Sequence, residues 1–184
     1  RVWKLCSSTS LKVAIIKNKN QVAICAPQYP EVLAVMEKRC REIGVRWYDV
    51  ARDMNIQQRQ WNEKGQFFDV QGLRHTYALK TRLSGAHQAV NAATAIGLVE
   101  GLHEHAVTIA PSMVEQGIAN TSWPGRFEVI RERPWVILDC AHNPSSAMRL
   151  AQTVQEMFPQ RKVNLILGIS ADKDVAGICR NLNP

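Results

Sequence analysis

The sequence has 184 residues, of which 46% are hydrophobic and 21% are charged, and its formal net charge is +7. These fractions predict a globular chain with a packed core, and no apolar run reaches the roughly 18 residues that cross a bilayer. The basic residues are spread along the chain, which favours an ordinary solvated surface over a nucleic-acid interface. We therefore expect a cytoplasmic protein that binds neither a membrane nor nucleic acid.

The number and spacing of the cysteines bear on whether the chain has a zinc site or disulfide bonds. There are five of them, widely spaced and without a C-x-x-C pair, at positions 6, 25, 40, 140 and 179. This pattern predicts neither a zinc site nor a disulfide framework, so we expect reduced thiols.

Strand and helix patterns alternate in the first part of the chain. The apolar stretches Val13–Ile16 and 21–26 predict two short strands. A helix is predicted from Pro30, which suits a first helical turn, to Gly44, which suits a helix end. Because the strand pattern 45–50 follows directly, this segment predicts a strand–helix–strand unit with parallel strands.

The middle of the chain leads to a predicted domain boundary. Its patterns indicate a β-hairpin and then two helices, over residues 66–79, 85–102 and 111–119. The sequence Trp123-Pro124-Gly125 cannot continue a helix. We therefore predict one domain over residues 1–122 and a second over 123–184.

The second domain reads as the start of a doubly wound α/β sheet. Strands and helices are predicted in the order strand, strand, helix, strand, helix, over residues 126–131, 135–139, 144–158, 163–167 and 174–182. This is fewer strands than a complete sheet usually has. The sequence also begins at Arg1 and ends at Pro184, directly after a helical pattern. We expect an internal piece of a longer protein.

Three short motifs carry polar groups suited to a nucleotide. In the first, an apolar strand ends at Asp139, and Asn143 then begins a helix. A carboxylate at that edge of a sheet can hold ribose hydroxyls, and a helix N-terminus favours phosphate oxygens. The alternative is that Asp139 and Asn143 only cap the helix. In the second, Arg126 follows a Pro-Gly hinge, and its planar guanidinium suits phosphate oxygens. The alternative is a plain surface role, which is more common for a lone arginine at the start of a strand.

The third motif lies on a predicted helix. His87, Gln88 and Asn91 are spaced so that they share one face near the helix N-terminus. The amide of Asn91 offers a donor and an acceptor that match the edge of adenine. The alternative is a hydrogen-bond network between helices.

Taken together, these motifs resemble one family. The chain contains four motifs in a fixed order, beginning at Gly85, Trp123, Asp139 and Gly168. They are G-x-H-Q-x-x-N-A, W-P-G-R-F-E, D-x-A-H-N-P and G-x-x-x-D-K-D. The pattern is similar to that of folylpolyglutamate synthase/dihydrofolate synthase, in the Mur ligase superfamily. The resemblance implies an α/β fold, in which part of a central ATPase domain is followed by the start of a Rossmann-like C-terminal domain.

The resemblance also implies roles for individual residues. Asn91, Arg126 and Asp139 match family residues that contact ATP, and His142 matches a catalytic-site histidine beside the nucleotide. Lys12 matches a lysine that is carbamylated and helps to hold Mg²⁺. The segment Leu11–Lys17 departs from the family motif E-K-A-G-I-I-K, because Leu11 replaces its glutamate and Ala14 its glycine.

The activity implied is an ATP-dependent ligase that joins L-glutamate to folate or to dihydropteroate through an acyl phosphate, as a monomer. The sequence contains no G-x-x-x-x-G-K-[ST] loop for the β- and γ-phosphates. We therefore expect these 184 residues alone to be inactive. Two alternatives are another Mur-type ligase of cell-wall synthesis and a non-catalytic basic binding module.

Overall fold

A computed structural model describes residues 13–62 and 65–182, without the side chains of residues 59, 61 and 62. Within this range the chain divides into two compact units. The first takes in residues up to 60, then 67–80 and 89–119, and the second takes in 61–66, 81–88 and the residues from 120 onward. None of the helices in the described part of the chain has both the length and the apolar character needed to span a bilayer.

The first unit begins with the predicted strand–helix–strand segment. Strand β1 (Val22–Cys25), helix α1 (Pro30–Ile43) and strand β2 (Arg46–Asp49) follow one another, and the two strands are parallel. Pro30 begins α1, and Gly44 ends it with a φ of 76°, in the left-handed region that glycine tolerates. The predicted unit is confirmed.

The predicted strand at Val13–Ile16 is wrong. Val13 is helical and residues 14 and 15 form a turn, which is closed by a hydrogen bond from the Ile16 N–H to the Val13 carbonyl. Val13 and Ile16 are nevertheless buried, in a small cluster with Cys40 and Val45. A short apolar run signals burial but does not separate a strand from a helical turn.

A three-stranded sheet and two helices complete the middle of the chain. The sheet has the order β3 (Asn55–Asn62), β4 (Gly65–Gln71) and β5 (Thr76–Thr81). The short helix α2 (Val50–Asp53) precedes it, and α3 (Ala86–Gly101), a 3₁₀ turn (Leu102–His105) and α4 (Pro111–Ala119) follow it. The predicted hairpin and both helices are confirmed, whereas β3 has a mostly polar sequence and gave no strand pattern.

The main core of the first unit lies between alternating strand positions and one face of α3. In β4 and β5 every second residue is buried, as expected for strands with one covered face. The buried side chains come from α2, β4, β5, α3 and α4 and include Val50, Phe68, Val70, Tyr77, Leu79, Ala93, Ile96 and Val114.

The second unit contains an antiparallel strand pair and two helices. Strands β6 (Glu128–Glu132) and β7 (Trp135–Leu138) pair with Glu128 opposite Leu138, and helices α5 (Pro144–Met157) and α6 (Val175–Leu182) follow. The strand predicted at 163–167 is not formed. A strand needs a hydrogen-bonding neighbour, and among the described residues nothing pairs with this stretch, where Ile166 is 98% exposed.

Candidate functional site

The carboxylate of Asp139 is fixed by two backbone groups of the second unit. Its Oδ1 accepts a hydrogen bond from the Ala141 N–H and its Oδ2 accepts one from the Phe127 N–H, both at 2.8 Å. The first bond shapes the loop that follows β7, and the second ties this loop to the turn before β6. Asp139 therefore has a set position and does not cap helix α5. Each carboxylate oxygen keeps a second lone pair for another donor.

Helix α5 is capped by Asn143, as the sequence predicted. The Asn143 Oδ1 accepts from the Ser146 N–H at 2.9 Å, and the Asn143 N–H donates in return to the Ser146 Oγ at 3.1 Å. Pro144 occupies the first turn, where a missing N–H costs nothing. The exposed end of α5 thus stands directly after the Asp139 loop.

His142 lies between Asp139 and Asn143, and its side chain is exposed. Its Nδ1 is 3.1 Å from the carbonyl oxygen of Cys140. Because a carbonyl can only accept, this contact assigns a proton to Nδ1 and leaves Nε2 of a neutral ring as an acceptor. Its backbone N–H donates to the Ser146 Oγ at 3.1 Å, so the histidine is held close to the capped helix end.

The turn that carries Arg126 is tied to the Asp139 loop at a glycine. The Gly125 carbonyl accepts from the Cys140 N–H, and the Gly125 N–H donates to the Glu128 Oε2, both at 2.8 Å. Gly125 has a φ of 72°, and a Cβ there would lie 2.6 Å from the Cys140 Sγ. Both the left-handed conformation and the close approach require glycine.

Arg126 and Phe127 occupy the end of this turn. The Arg126 guanidinium is exposed and lies over the Trp123 ring, with its central carbon 5.9 Å from the ring centroid. Phe127 is buried and has a φ of 49°, which is rare for a residue other than glycine. Its N–H bond to Asp139 helps to hold that conformation. Strained backbone of this kind concentrates at functional sites.

His87 is a half-buried imidazole in the same unit. The Gln88 Nε2 lies 3.1 Å from the His87 Nε2, and because an amide nitrogen only donates, the imidazole accepts and is neutral. Burial lowers the pKa of His87 most, and the charge of Arg149 lowers it further. The charge of Asp139 raises this pKa by a smaller amount, and the charge of Arg126 lowers it by the least. Its ring also packs against Gly85.

The structure connects some of the predicted site residues. Arg126 and Asp139 are joined through the Phe127 N–H, and His142 follows three positions later in the same loop. Asn91 is exposed on α3, in the first unit. Lys12 lies outside the described residues, so its predicted role is untested.

Clusters of metal-ligating side chains were sought in the part of the chain that the structure describes. Within residues 13–62 and 65–182, no three His, Cys, Asp or Glu side chains are grouped so that they could hold a metal ion.

Sequence reasoning missed two features of the second unit. The contact of Trp123 with Arg126 had a signal in the i, i+3 spacing within the motif, because a four-residue turn brings its ends together. The effect of the Arg149 charge on the pKa of His87 had none, since the two residues are far apart in the sequence and no local pattern relates them.

Comparison with known proteins agrees with these features. The family model of the Mur ligase glutamate ligase domain matches residues 125–184. The dihydrofolate synthase/folylpolyglutamate synthase of Mycobacterium tuberculosis is 33% identical over 166 residues, which are 89% of this chain and 34% of that protein. The folylpolyglutamate synthase of Lacticaseibacillus casei is 29% identical over 175 residues, 93% of this chain and 40% of that protein.

Solved structures give the same result. The Mycobacterium tuberculosis folylpolyglutamate synthase complexed with ADP matches 97% of this chain, and 40% of its own, with a TM-score of 0.90 and 31% identity. An FPGS–AMPPCP–folate complex matches 95% of this chain, and 42% of its own, with a TM-score of 0.87 and 27% identity. The fold and its loops are therefore those of a Mur-type ligase. Within that class, the chain belongs to the folylpolyglutamate synthase/dihydrofolate synthase family, and it spans 34% and 40% of the two relatives above.

Proposed function

We propose that this chain supplies part of the nucleotide site of an ATP-dependent ligase, which joins L-glutamate to folate, to dihydropteroate or to both. The observation that carries the proposal is the anchored Asp139 carboxylate beside the capped end of α5. Similarity to structures that hold ADP, or AMPPCP with folate, supports it. The protein acts as a cytoplasmic monomer. Its described cysteines at 25, 40, 140 and 179 are free thiols, in keeping with that compartment.

Each site residue has a task that its chemistry fits. The second lone pairs of the Asp139 oxygens accept from the ribose hydroxyls, and the amide of Asn91 pairs with the adenine edge. The Arg126 guanidinium donates to phosphate oxygens, and the N-terminus of α5 favours the same negative charge. His142, with its proton on Nδ1, presents an acceptor nitrogen beside the nucleotide.

The reaction proceeds in two steps. The γ-phosphoryl group of ATP moves to a carboxylate of the acceptor and gives an acyl phosphate and ADP. The amine of glutamate then attacks the acyl carbon, and phosphate leaves as the amide forms. Such chemistry depends chiefly on position and charge. We place the domain boundary at residues 122 and 123, so that Arg126 and Asp139 come from the second domain and Asn91 from the first. Lys12 remains the proposed Mg²⁺ ligand, from the resemblance alone.

The test uses the full-length protein that contains this sequence. Glutamate-dependent ADP formation is followed with dihydropteroate and with tetrahydrofolate, for the wild type and for Asp139→Asn. Because the variant loses charge-assisted bonds to the ribose, we expect the KM for ATP to rise about tenfold or more. Glu156→Gln is the control, since it makes the same chemical change at an exposed position near the other end of α5.

Three results would contradict parts of this proposal. An unchanged KM for ATP in Asp139→Asn, with thermal unfolding also unchanged, would remove Asp139 from the nucleotide site. ADP formation with cell-wall precursors but with neither folate would indicate a different Mur-type ligase. Salt-dependent binding of nucleic acid without any response to ATP would indicate a basic binding module.

A further inference from the structure

The backbone on both sides of Arg126 is held more firmly than its side chain. The Arg126 N–H donates to the Trp123 carbonyl at 3.2 Å and closes a four-residue turn, and the next N–H, of Phe127, is bound by Asp139. By contrast, in the part of the chain that the structure describes, the Arg126 guanidinium has neither an ion pair nor a hydrogen bond. The direction of the charged group therefore depends on its packing.

Trp123 supplies that packing. Its side chain is 61% exposed, so it does not serve the core, and the Arg126 guanidinium lies over its ring at 5.9 Å. A cation in this position is attracted by the negative face of the indole. The closed turn keeps the two residues as neighbours, because it fixes the separation of their α-carbons.

Stacking leaves the arginine available for a ligand. A carboxylate partner would occupy the N–H groups of a guanidinium, whereas an aromatic ring contacts its face. The N–H groups lie in the guanidinium plane and stay able to donate to two oxygens of a phosphate. The ring also limits the rotamers of a long side chain, so less conformational entropy is lost when a ligand binds.

We propose that Trp123 is a positioning residue that holds the Arg126 guanidinium ready for the phosphates of the nucleotide. This inference rests on the proposed function, in which Arg126 binds phosphate oxygens. It assigns to the tryptophan of the W-P-G-R turn an effect on nucleotide affinity through its neighbour, without contact of its own with the nucleotide.

The test is a double-mutant cycle in the full-length protein. Affinity for ADP is measured by calorimetry for the wild type, Trp123→Ala, Arg126→Ala and the double variant. For an exposed cation–π pair we expect Trp123→Ala to weaken binding about two- to fivefold, and we expect no further loss in the Arg126→Ala background.

Two more variants distinguish an effect of the aromatic face from an effect of side-chain volume. Trp123→Phe keeps a face and should retain part of the affinity, whereas Trp123→Leu keeps apolar volume and should bind as weakly as Trp123→Ala. Tyr29→Ala is the control, because Tyr29 is 71% exposed in the first unit and should leave ADP affinity unchanged. Thermal unfolding of each variant shows whether the fold is intact.

Several outcomes would overturn the inference. An equal loss for Trp123→Ala with and without Arg126 would mean that the indole contacts the nucleotide or acts independently. Wild-type affinity in Trp123→Leu would show that the aromatic face is irrelevant. If Arg126→Ala binds ADP normally, there is no phosphate-binding arginine to position. Ligase activity of the wild type, measured separately, distinguishes that result from failure of the proposed function.

Discussion

His87 is a neutral imidazole placed among charged groups, and this makes the stability of the protein depend on pH. The charges that face it come from Arg149 on α5, Asp139 after β7 and Arg126 before β6, and burial acts in the same direction as the two arginines. Its pKa in the folded protein therefore lies below the ordinary value of 6.5. The hydrogen bond that its Nε2 accepts from Gln88 also requires the neutral form.

The sign of the effect follows from proton linkage. Above the unfolded pKa of 6.5, His87 is neutral in both states and its environment imposes no penalty. As the pH falls below that value, the unfolded chain takes up a proton that the folded chain resists, so the free energy of unfolding decreases. We expect urea unfolding between pH 7.5 and pH 5 to show a steeper loss of stability for the wild type than for His87→Gln.

His87→Gln keeps a polar side chain of similar length but removes the group that takes up the proton. His105→Gln is the control, because it makes the same chemical change at an exposed position. Parallel pH profiles for the wild type and His87→Gln would show that the environment of His87 does not resist protonation.

The roles of single site residues could be predicted where the groups that they contact are close to them in the sequence. The Asn143-Pro144 pair predicted a helix start, and the reciprocal bonds with Ser146 confirm it. Asp139 was placed correctly at a strand end, but its backbone partner Phe127 is twelve residues away, and nothing local indicates such a contact. The environment of His87 was inaccessible for the same reason, because it is assembled from distant segments.

At the scale of elements, α3 is joined to the β4–β5 hairpin by one buried carboxylate. Glu100, near the end of α3, accepts from the N–H groups of Leu73 at 2.6 Å and His75 at 3.0 Å and from the Tyr77 hydroxyl at 3.0 Å. Burial, and then Glu100 itself, raises the pKa of Tyr77, so this hydroxyl remains a donor. Gly72 leaves room for the carboxylate, since a Cβ there would lie 2.7 Å from its Oε2.

Removal of this carboxylate should therefore destabilise the first unit. Glu100→Ala leaves several donors of the hairpin turn without their acceptor, and we expect a loss of about 2–4 kcal/mol in the free energy of unfolding. Tyr77→Phe removes one hydrogen bond and should cost about 1 kcal/mol. Denaturant unfolding of the 184-residue chain measures both.

The exposed ion pair of Lys38 and Glu42, 4.0 Å apart on α1, provides the comparison. Glu42→Ala should change stability by less than about 0.5 kcal/mol, because exposed pairs contribute little. A similarly small effect for Glu100→Ala would show that the hairpin turn does not depend on its carboxylate.

Elements were predictable where capping and periodicity agree. Helix α1 has both a proline start and a glycine end, and α4 was predicted with its observed bounds, Pro111–Ala119. Strand β3 was missed because its sequence, N-I-Q-Q-R-Q-W-N, has no apolar face and its pairing is set by the hairpin partner. The apolar stretch 163–167 fits a buried strand, yet its apolar character says nothing about whether a neighbouring strand is present.

At the scale of the whole molecule, no single boundary separates the two compact units, because two short segments of the second unit fall within the sequence of the first. The second unit includes residues 61–66 and 81–88 in addition to those from 120 onward. The Mur ligase domain match begins at residue 125, within the W-P-G-R turn. The boundary between residues 122 and 123 stays a prediction. Limited proteolysis would support it if the first cleavage falls in the exposed Ser122–Pro124 stretch.

The last prediction concerns what these 184 residues can do alone. Phosphoryl transfer requires the β- and γ-phosphates to be held in line with the attacking oxygen, a task that falls to a glycine-rich phosphate loop in such enzymes. Because this sequence has no G-x-x-x-x-G-K-[ST] loop, we expect no ATP hydrolysis and no glutamate ligation by the isolated chain. The full-length protein, assayed with the same substrates, is the positive control. An ATPase rate that co-purifies with the isolated chain and is lost in Asp139→Asn would contradict the prediction, because it would mean that the residues on these loops position the reacting phosphate without that loop.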